Sequence, residues 1–314
     1  MKARPRGVAL LVALLVVALA TILVATLLTR GELAYARTRN ALRAQQAEAY
    51  ALGLELYAQR VLFETWAEGP DTRMSPWTVP LPPQPVPGGT ISATLRDLGG
   101  CFNLNNLAPG VVQRDQWRRV FEALLVGQGL DPRVADAVAG WLDPQDQAEA
   151  SHYLGLPVPY RPRQGLFVHV SELRLVRGID GAAYARLVPH VCALAPGTRL
   201  NVNTTDLALL QALGLGRSDA ERVWQGGQAQ FGDVAAFLQE ARTPALAARS
   251  ELLTTRSDWF LARGEVALDD IPFTFFSLIE RAQGRGVRVL ERSRGSDDAW
   301  ALSTPPADAD ASRR

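Results

Sequence analysis

From Val8 to Leu28 the chain reads VALLVALLVVALATILVATLL, 21 residues without a charge, a proline or a glycine. At ~1.5 Å per helical residue this run reaches roughly 32 Å, enough to cross a hydrocarbon core of about 30 Å. Thr21 and Thr26 fit that reading, because a helical hydroxyl can bond the backbone carbonyl one turn back. Whatever follows must hang from an apolar helix at one end. Read as a secretory signal, the run would be removed at Ala34-Tyr35-Ala36, although such apolar cores usually span only about 7–15 residues. Read as an uncleaved anchor, it leaves Lys2, Arg4 and Arg6 in the cytoplasm and puts everything after Thr29 on the other side. A further feature is that a leader of seven residues ends in Gly7, with no polar spacer before Val8.

The remaining length can bury a sizeable core. Of the 314 residues, 47% are apolar and 21% charged, as in an ordinary globular protein. A net charge of +1 provides no global field for nucleic acid or for an acidic surface. Cys101 and Cys192 are too few for a disulfide scaffold or a four-cysteine zinc site, which leaves one bridge or two buried thiols. His152, His169 and His190 stand in no metal or nucleophile motif, and Ser171-Glu172 beside His169 is a pairing any chain this long offers. Catalysis is not what this composition points to.

Between Gly7 and Gly69 there is no proline, and only Gly31 and Gly53 interrupt good helix formers, so one long helix is the economical reading. Past the anchor it becomes amphipathic, with Ala47, Tyr50, Leu54, Tyr57 and Val61 on one face and Arg43, Glu48, Glu55, Arg60 and Glu64 elsewhere. Gly69-Pro70 stops it, and a proline-rich segment from Pro76 to Pro87 reads as an extended connection. Thr90 to Arg96 alternates, with Ile91, Ala93 and Leu95 on one side, and predicts a half-buried strand. Short helices are predicted over Val112–Leu125, Asp131–Leu142, Val170–Val176, Ala182–Val191, Thr205–Leu213, Ser218–Trp224, Val234–Ala241 and Leu246–Thr254. From Ser257 strands return, with Phe260, Ala262, Gly264, Val266 and Leu268 alternating, then Ile271–Arg281 and Val287–Arg292.

Two motifs frame the helical stretch. The first is Cys101-Phe102-Asn103-Leu104-Asn105-Asn106, directly after the first strand; the second is Cys192-Ala193-Leu194 followed by Leu200-Asn201-Val202-Asn203-Thr204-Thr205. Together with a leader ending at Gly7, which resembles a prepilin-type signal, they resemble the K-type minor pseudopilins of type II secretion systems. Most pilin-like proteins carry glutamate as the fifth residue after the cut, where this chain has Val12; an apolar residue there resembles the K-type subunit.

The resemblance implies an α+β fold, in which a long N-terminal transmembrane helix packs on a small antiparallel sheet that carries a large all-α insertion. The implied divisions are a leader (1–7), a membrane half (8–29) and an amphipathic half (30–69) of one helix. A pilin-like domain (70–105 and 257–294), a helical insertion (106–256) and a disordered tail (295–314) complete them. It also implies cleavage between Gly7 and Val8 by prepilin peptidase with methylation of the new terminus, and a Cys101–Cys192 disulfide. The implied place is the bacterial inner membrane, single-pass, with the C-terminal domain in the periplasm. I- and J-type minor pseudopilins, the major pseudopilin and the inner-membrane assembly platform are the implied partners, with no nucleic acid among them. The implied role is non-enzymatic: a subunit at the tip of the pseudopilus that starts the filament and supports export of folded proteins across the outer membrane.

Two further stretches carry expectations. Trp141-Leu142-Asp143-Pro144-Gln145-Asp146-Gln147-Ala148-Glu149 resembles the family's tryptophan-aspartate loop, which implies calcium held by Asp143, Asp146 and Glu149; a solvated acidic turn is the plainer reading. Ser171–Asp180 and Leu207–Gly216 echo one another as helix, glycine turn, helix. That unit resembles the helix-hairpin-helix of DNA-binding proteins, so a membrane-anchored, competence-like DNA-binding protein is the alternative. Arg217 would serve phosphate contact, whereas Asp180, Asp219 and Glu221 oppose it.

Overall fold

The computed structural model describes residues 6–282 and 284–295. The expectation for the tail over 295–314 falls, apart from Gly295, outside the described residues, as do the first five residues of the leader. Helix α1 (Arg6–Glu64) is continuous through Gly31 and Gly53 and ends in a 3-10 turn over Thr65–Glu68. In its first half the large apolar side chains from Leu10 to Leu28 are all exposed. Thr21 and Thr26 donate to the carbonyls of Val17 and Ile22 at 2.6 and 2.7 Å, the bonds that let hydroxyls sit in lipid. This half is suited only to an apolar solvent.

The second half of α1 lies on a five-stranded antiparallel sheet, built from β1 (Leu81–Val86), β2 (Gly89–Asp97), β7 (Trp259–Leu268), β8 (Ile271–Ala282) and β9 (Gly286–Arg294) in the order β1-β2-β7-β8-β9. Ile91, Ala93 and Leu95 of β2 pair with Val266, Gly264 and Ala262 of β7, so the two alternating sets predicted from sequence share one face. That face meets Ala47, Leu54, Ala58 and Leu62 of α1. A straight helix drifts past a seven-residue spacing, so the buried stripe moves to Ala58 and Leu62 and leaves Tyr57 half-exposed. Gly264 permits the close approach: a Cβ there would stand 3.2 Å from Leu54 Cδ1.

Glu55, expected on the polar side, is buried under the helix. Arg292 donates to it twice, at 2.7 and 2.8 Å, and Ser277 once, at 2.9 Å. Burial pushes its carboxyl up, but the bonds from Arg292 and Ser277 outweigh this and hold it below its usual range. The proline-rich connection also differs from expectation, since part of it is β1. Pro82, Pro83 and Pro85 sit on an edge strand, where a missing N–H breaks no ladder.

Between β2 and β7 the chain builds a block of short helices on one large core. β3 (Phe102–Asn103) opens it and is followed by α2 (Arg114–Gly127), α3 (Val134–Leu142), α4 (Gln147–Leu154) and α5 (Gly181–Leu187). β4 (Val191–Cys192) then pairs with β3 in parallel. β5 (Leu200–Asn201) starts a second round of α6 (Leu207–Ala212), α7 (Arg217–Trp224), α8 (Val234–Ala241) and α9 (Pro244–Ala247), which closes with β6 (Leu253–Thr254) parallel to β5. The helix expected over Leu246–Thr254 is thus α9, a 3-10 turn and β6, because Pro244 starts a helix too short to continue past Ala247. Val170–Leu175 is a 3-10 turn. The polar sequence of α4 hid a helix that Asp146 caps.

Cys101 and Cys192 form a disulfide across 91 residues, with Cα atoms 5.9 Å apart beside the β3–β4 pair. With Leu194 and Trp259 it packs the block onto the sheet. A loop of that length corresponds to roughly 4–5 kcal/mol in the chain-entropy model. Replacing both cysteines by serine is expected to lower stability in urea by about 2–5 kcal/mol, and reductant should move the wild type to the same midpoint.

Candidate functional site

The two asparagine motifs are the pegs of the block. In the first, Asn103 Oδ1 accepts from the backbone N–H groups of Asn105 and Leu194, at 3.1 and 2.9 Å. Asn105 then clasps Phe167 at both ends of its backbone, accepting from its N–H at 2.8 Å and donating to its carbonyl at 2.9 Å. The second motif repeats the pattern: Asn201 accepts from Asn203 N–H at 3.0 Å, and Asn203 clasps Phe231 at 2.8 and 3.0 Å. Each motif begins in the two-residue parallel strand that starts its round of helices and runs on past its end. These amides are buried and satisfied, which makes them structural rather than catalytic.

Where block, sheet and anchor meet, Asp71 and Arg281 form a buried ion pair. Asp71 also accepts from Trp77 Nε1 at 3.1 Å and from Ser257 N–H at 2.8 Å, while its carbonyl accepts from Asn201 Nδ2 at 3.0 Å. The Arg281 guanidinium lies over the Phe260 ring, 4.7 Å from its centre. Neither Asp71 nor Arg281 stood out in the sequence; a lone aspartate after Gly69-Pro70 gives no periodic signal. Beside them Asp97 accepts from Gly99 N–H at 2.6 Å and from the Thr204 hydroxyl. Burial, with the Asp71 charge adding to it, pushes the Asp97 carboxyl up to about 6 despite those bonds.

The acidic segment is held by local turns and one ion pair. Asp143 Oδ1 accepts from Gln145 N–H and Asp146 Oδ1 from Glu149 N–H, both at 2.9 Å, so each carboxylate closes its own turn. Glu149, largely buried, accepts from Arg177 Nη2 at 2.7 Å and from the Tyr153 hydroxyl at 2.9 Å. The Tyr153 oxygen in turn accepts from Arg177 N–H at 3.1 Å. Arg177 is held above its ordinary value by the hydrogen bond to Glu149. Among the described residues no three acidic, histidine or cysteine side chains gather to hold a metal ion. Of the three carboxylates, Glu149 is paired with Arg177, whereas Asp143 and Asp146 accept from backbone N–H groups.

The helix-glycine-helix echoes are packing units. Gly178 and Gly214 turn with positive φ, and Asp180 and Asp206 cap α5 and α6. Arg217 is engaged by Glu221 at 3.0 Å and Arg222 by Asp219 at 2.8 Å.

An exposed apolar stripe runs along α1. Leu42, Ala49, Leu52, Leu56 and Phe63 are exposed along one stripe away from the sheet, continuing the line of the membrane half. A lipid-soluble helix half fused to an amphipathic half on an antiparallel sheet is the arrangement of a pilin-like protein. A family model described as "Type II secretion system (T2SS), protein K" matches residues 100–196, the stretch holding both cysteines and the first motif. Relatives called type II secretion system protein K are 32% identical in Pectobacterium carotovorum subsp. carotovorum and 33% in Klebsiella pneumoniae, each match covering 94% of this chain and 98% of the relative. The chain is also similar to a chain in the crystal structure of the GspK-GspI-GspJ complex from enterotoxigenic Escherichia coli, at 29% identity and a TM-score of 0.73, over 83% of this chain and all of that one. The chain belongs to the type II secretion system protein K family.

Two outcomes follow from this geometry. Arg177→Ala leaves Glu149 buried without its cation and is expected to destabilise the block by about 1–3 kcal/mol. For Asp97, the folded chain holds its proton up to about pH 6, whereas an unfolded aspartate releases it near 3.9. The native state therefore binds more protons between those values, and stability falls by about 1–3 kcal/mol as pH rises from roughly 4 to 6. Asp97→Asn can still accept from Gly99 N–H, with its amide N–H donating to the Thr204 hydroxyl, and should flatten that part of a stability-against-pH curve.

Proposed function

We propose that this chain is the minor pseudopilin at the tip of the type II secretion pseudopilus, non-enzymatic, assembling with I- and J-type subunits to initiate the filament and support export of folded proteins. The observation that carries the reading is the exposed stripe on α1. Leu52, Leu56 and Phe63 are large apolar side chains left uncovered by the described residues, on the helix that also supplies the membrane anchor. Such a stripe is what neighbouring anchor helices would bury in a bundle.

The tip position is supported by the shape of the chain. The helical block stands between β2 and β7, at the end of the sheet where α1 stops, and would obstruct a further subunit there. Val12 agrees with this, since a carboxylate in lipid is costly unless a neighbour's terminal amine pairs with it, and a subunit added first has no such neighbour. In this reading prepilin peptidase cuts between Gly7 and Val8, the new terminus is methylated, and Val8 to Leu28 holds the protein in the inner membrane with its head in the periplasm. The platform and the major pseudopilin then extend the filament beneath it.

Mass spectrometry of the mature protein should find N-methyl-Val8 as the first residue; cleavage after Ala36 would exclude the reading. Leu56→Arg with Phe63→Arg is expected to reduce co-purification with the I- and J-type subunits at least tenfold without changing the melting temperature, because both positions are exposed.

A further inference from the structure

A polar cleft of about 730 Å³ opens where α1 ends and the helical block joins the sheet. Five separate parts of the chain line it: Trp66 after α1, Gly99 between β2 and β3, Arg199 before β5, Arg256 and Asp258 before β7, and Arg285 in the turn between β8 and β9. Three arginines and one aspartate thus line one cleft. Arg199, Arg256, Arg285 and Asp258 are exposed, so the cleft is open to solvent.

The arginines are little used by the fold. Arg256 donates to the Trp66 carbonyl at 3.2 Å, which leaves most of its five N–H donors available. Arg285 reaches Glu280 only at 3.9 Å, and that carboxylate is already bonded by Arg288 at 2.5 Å. Arg199 acts on Asp258 through its field, and Asp258 also feels Arg281. The chain as a whole is nearly neutral, at +1, so a local excess of two positive charges in one concavity is not a by-product of a basic protein. Planar guanidinium forks match carboxylates in pairs, and an indole face beside them accepts an extended peptide or a cation.

We propose that this cleft binds an acidic segment of a partner protein, with Arg199, Arg256 and Arg285 holding its carboxylates and Trp66 flanking its backbone. The volume exceeds what a single small anion fills, and the arginines come from three separate segments, which suits several carboxylates in a row. The proposal does not depend on the tip assignment. It follows from charge complementarity, and its strength falls with salt.

The test uses the full chain in detergent and fluorescein-labelled hexaglutamate, followed by anisotropy at low and high salt. Saturable binding is expected, weakened at least tenfold by Arg199→Gln with Arg285→Gln and left intact by the control pair Arg118→Gln with Arg217→Gln, with melting temperatures confirming that both variants fold. Equal loss in the control pair, or no saturable binding, would overturn the proposal. So would full competition by inorganic phosphate at matched ionic strength, which would make the ligand a small free anion. Tighter binding by a chain ending at Gly295 would also overturn it, since the occupant would then be the chain's own C-terminal segment with Asp297 and Asp298.

Discussion

The ion pair of Asp71 with Arg281 is the joint on which the three parts of the protein depend. Asp71 belongs to the connection that follows α1, Arg281 to the end of β8, and the groups that complete the pair, Asn201 and Ser257, to the helical block and its return. Burying two charges is expensive unless geometry and further hydrogen bonds compensate, and removing one partner alone is worse than removing both. Here Trp77, Ser257 and the Phe260 ring supply part of that compensation, all in place only when the anchor, sheet and block are docked, while Arg281 Nε and Nη1 are buried without a hydrogen-bond partner among the described residues. The pair therefore gives little to any part separately and reports on the whole.

Much of the architecture was legible in the sequence where one period persists. The uncharged run fixed the anchor, and the alternation in Ile91-Ala93-Leu95 and in Phe260 to Leu268 located the two strands that pair at the centre of the sheet. Reading failed where the signal depends on a distant residue. Glu55 looks like a solvent-facing acid until Arg292 and Ser277 are brought beneath it, more than 200 positions away. The prolines of β1 argue against a strand unless that strand lies at an edge. Likewise Arg177, which pairs with Glu149, lies in a later loop with no sequence link to it. The cysteine and asparagine motifs pointed to the right positions, but the parallel strand pairs and doubled phenylalanine clasps that explain them are tertiary facts.

Those clasps show how a block with little regular structure keeps one conformation. Short helices of four to fourteen residues are marginal alone. Asn105 on Phe167 and Asn203 on Phe231 fix a loop backbone against the strand that opens each round, and the disulfide closes the first round near its ends. Each buried amide would be costly if one bond were lost, so the network favours a single arrangement over many loose ones.

One consequence of the topology is mechanical. The chain leaves the sheet at Asp97 and returns at Trp259, and Asp97 stands opposite Phe260 in the β2–β7 ladder. Topologically the whole block is therefore the turn of a hairpin. A pull on the block enters both strands at the same end and in the same direction, so it cannot peel them apart from one another. The load passes instead to the ladders with β1 and β8, which resist it in shear along their length.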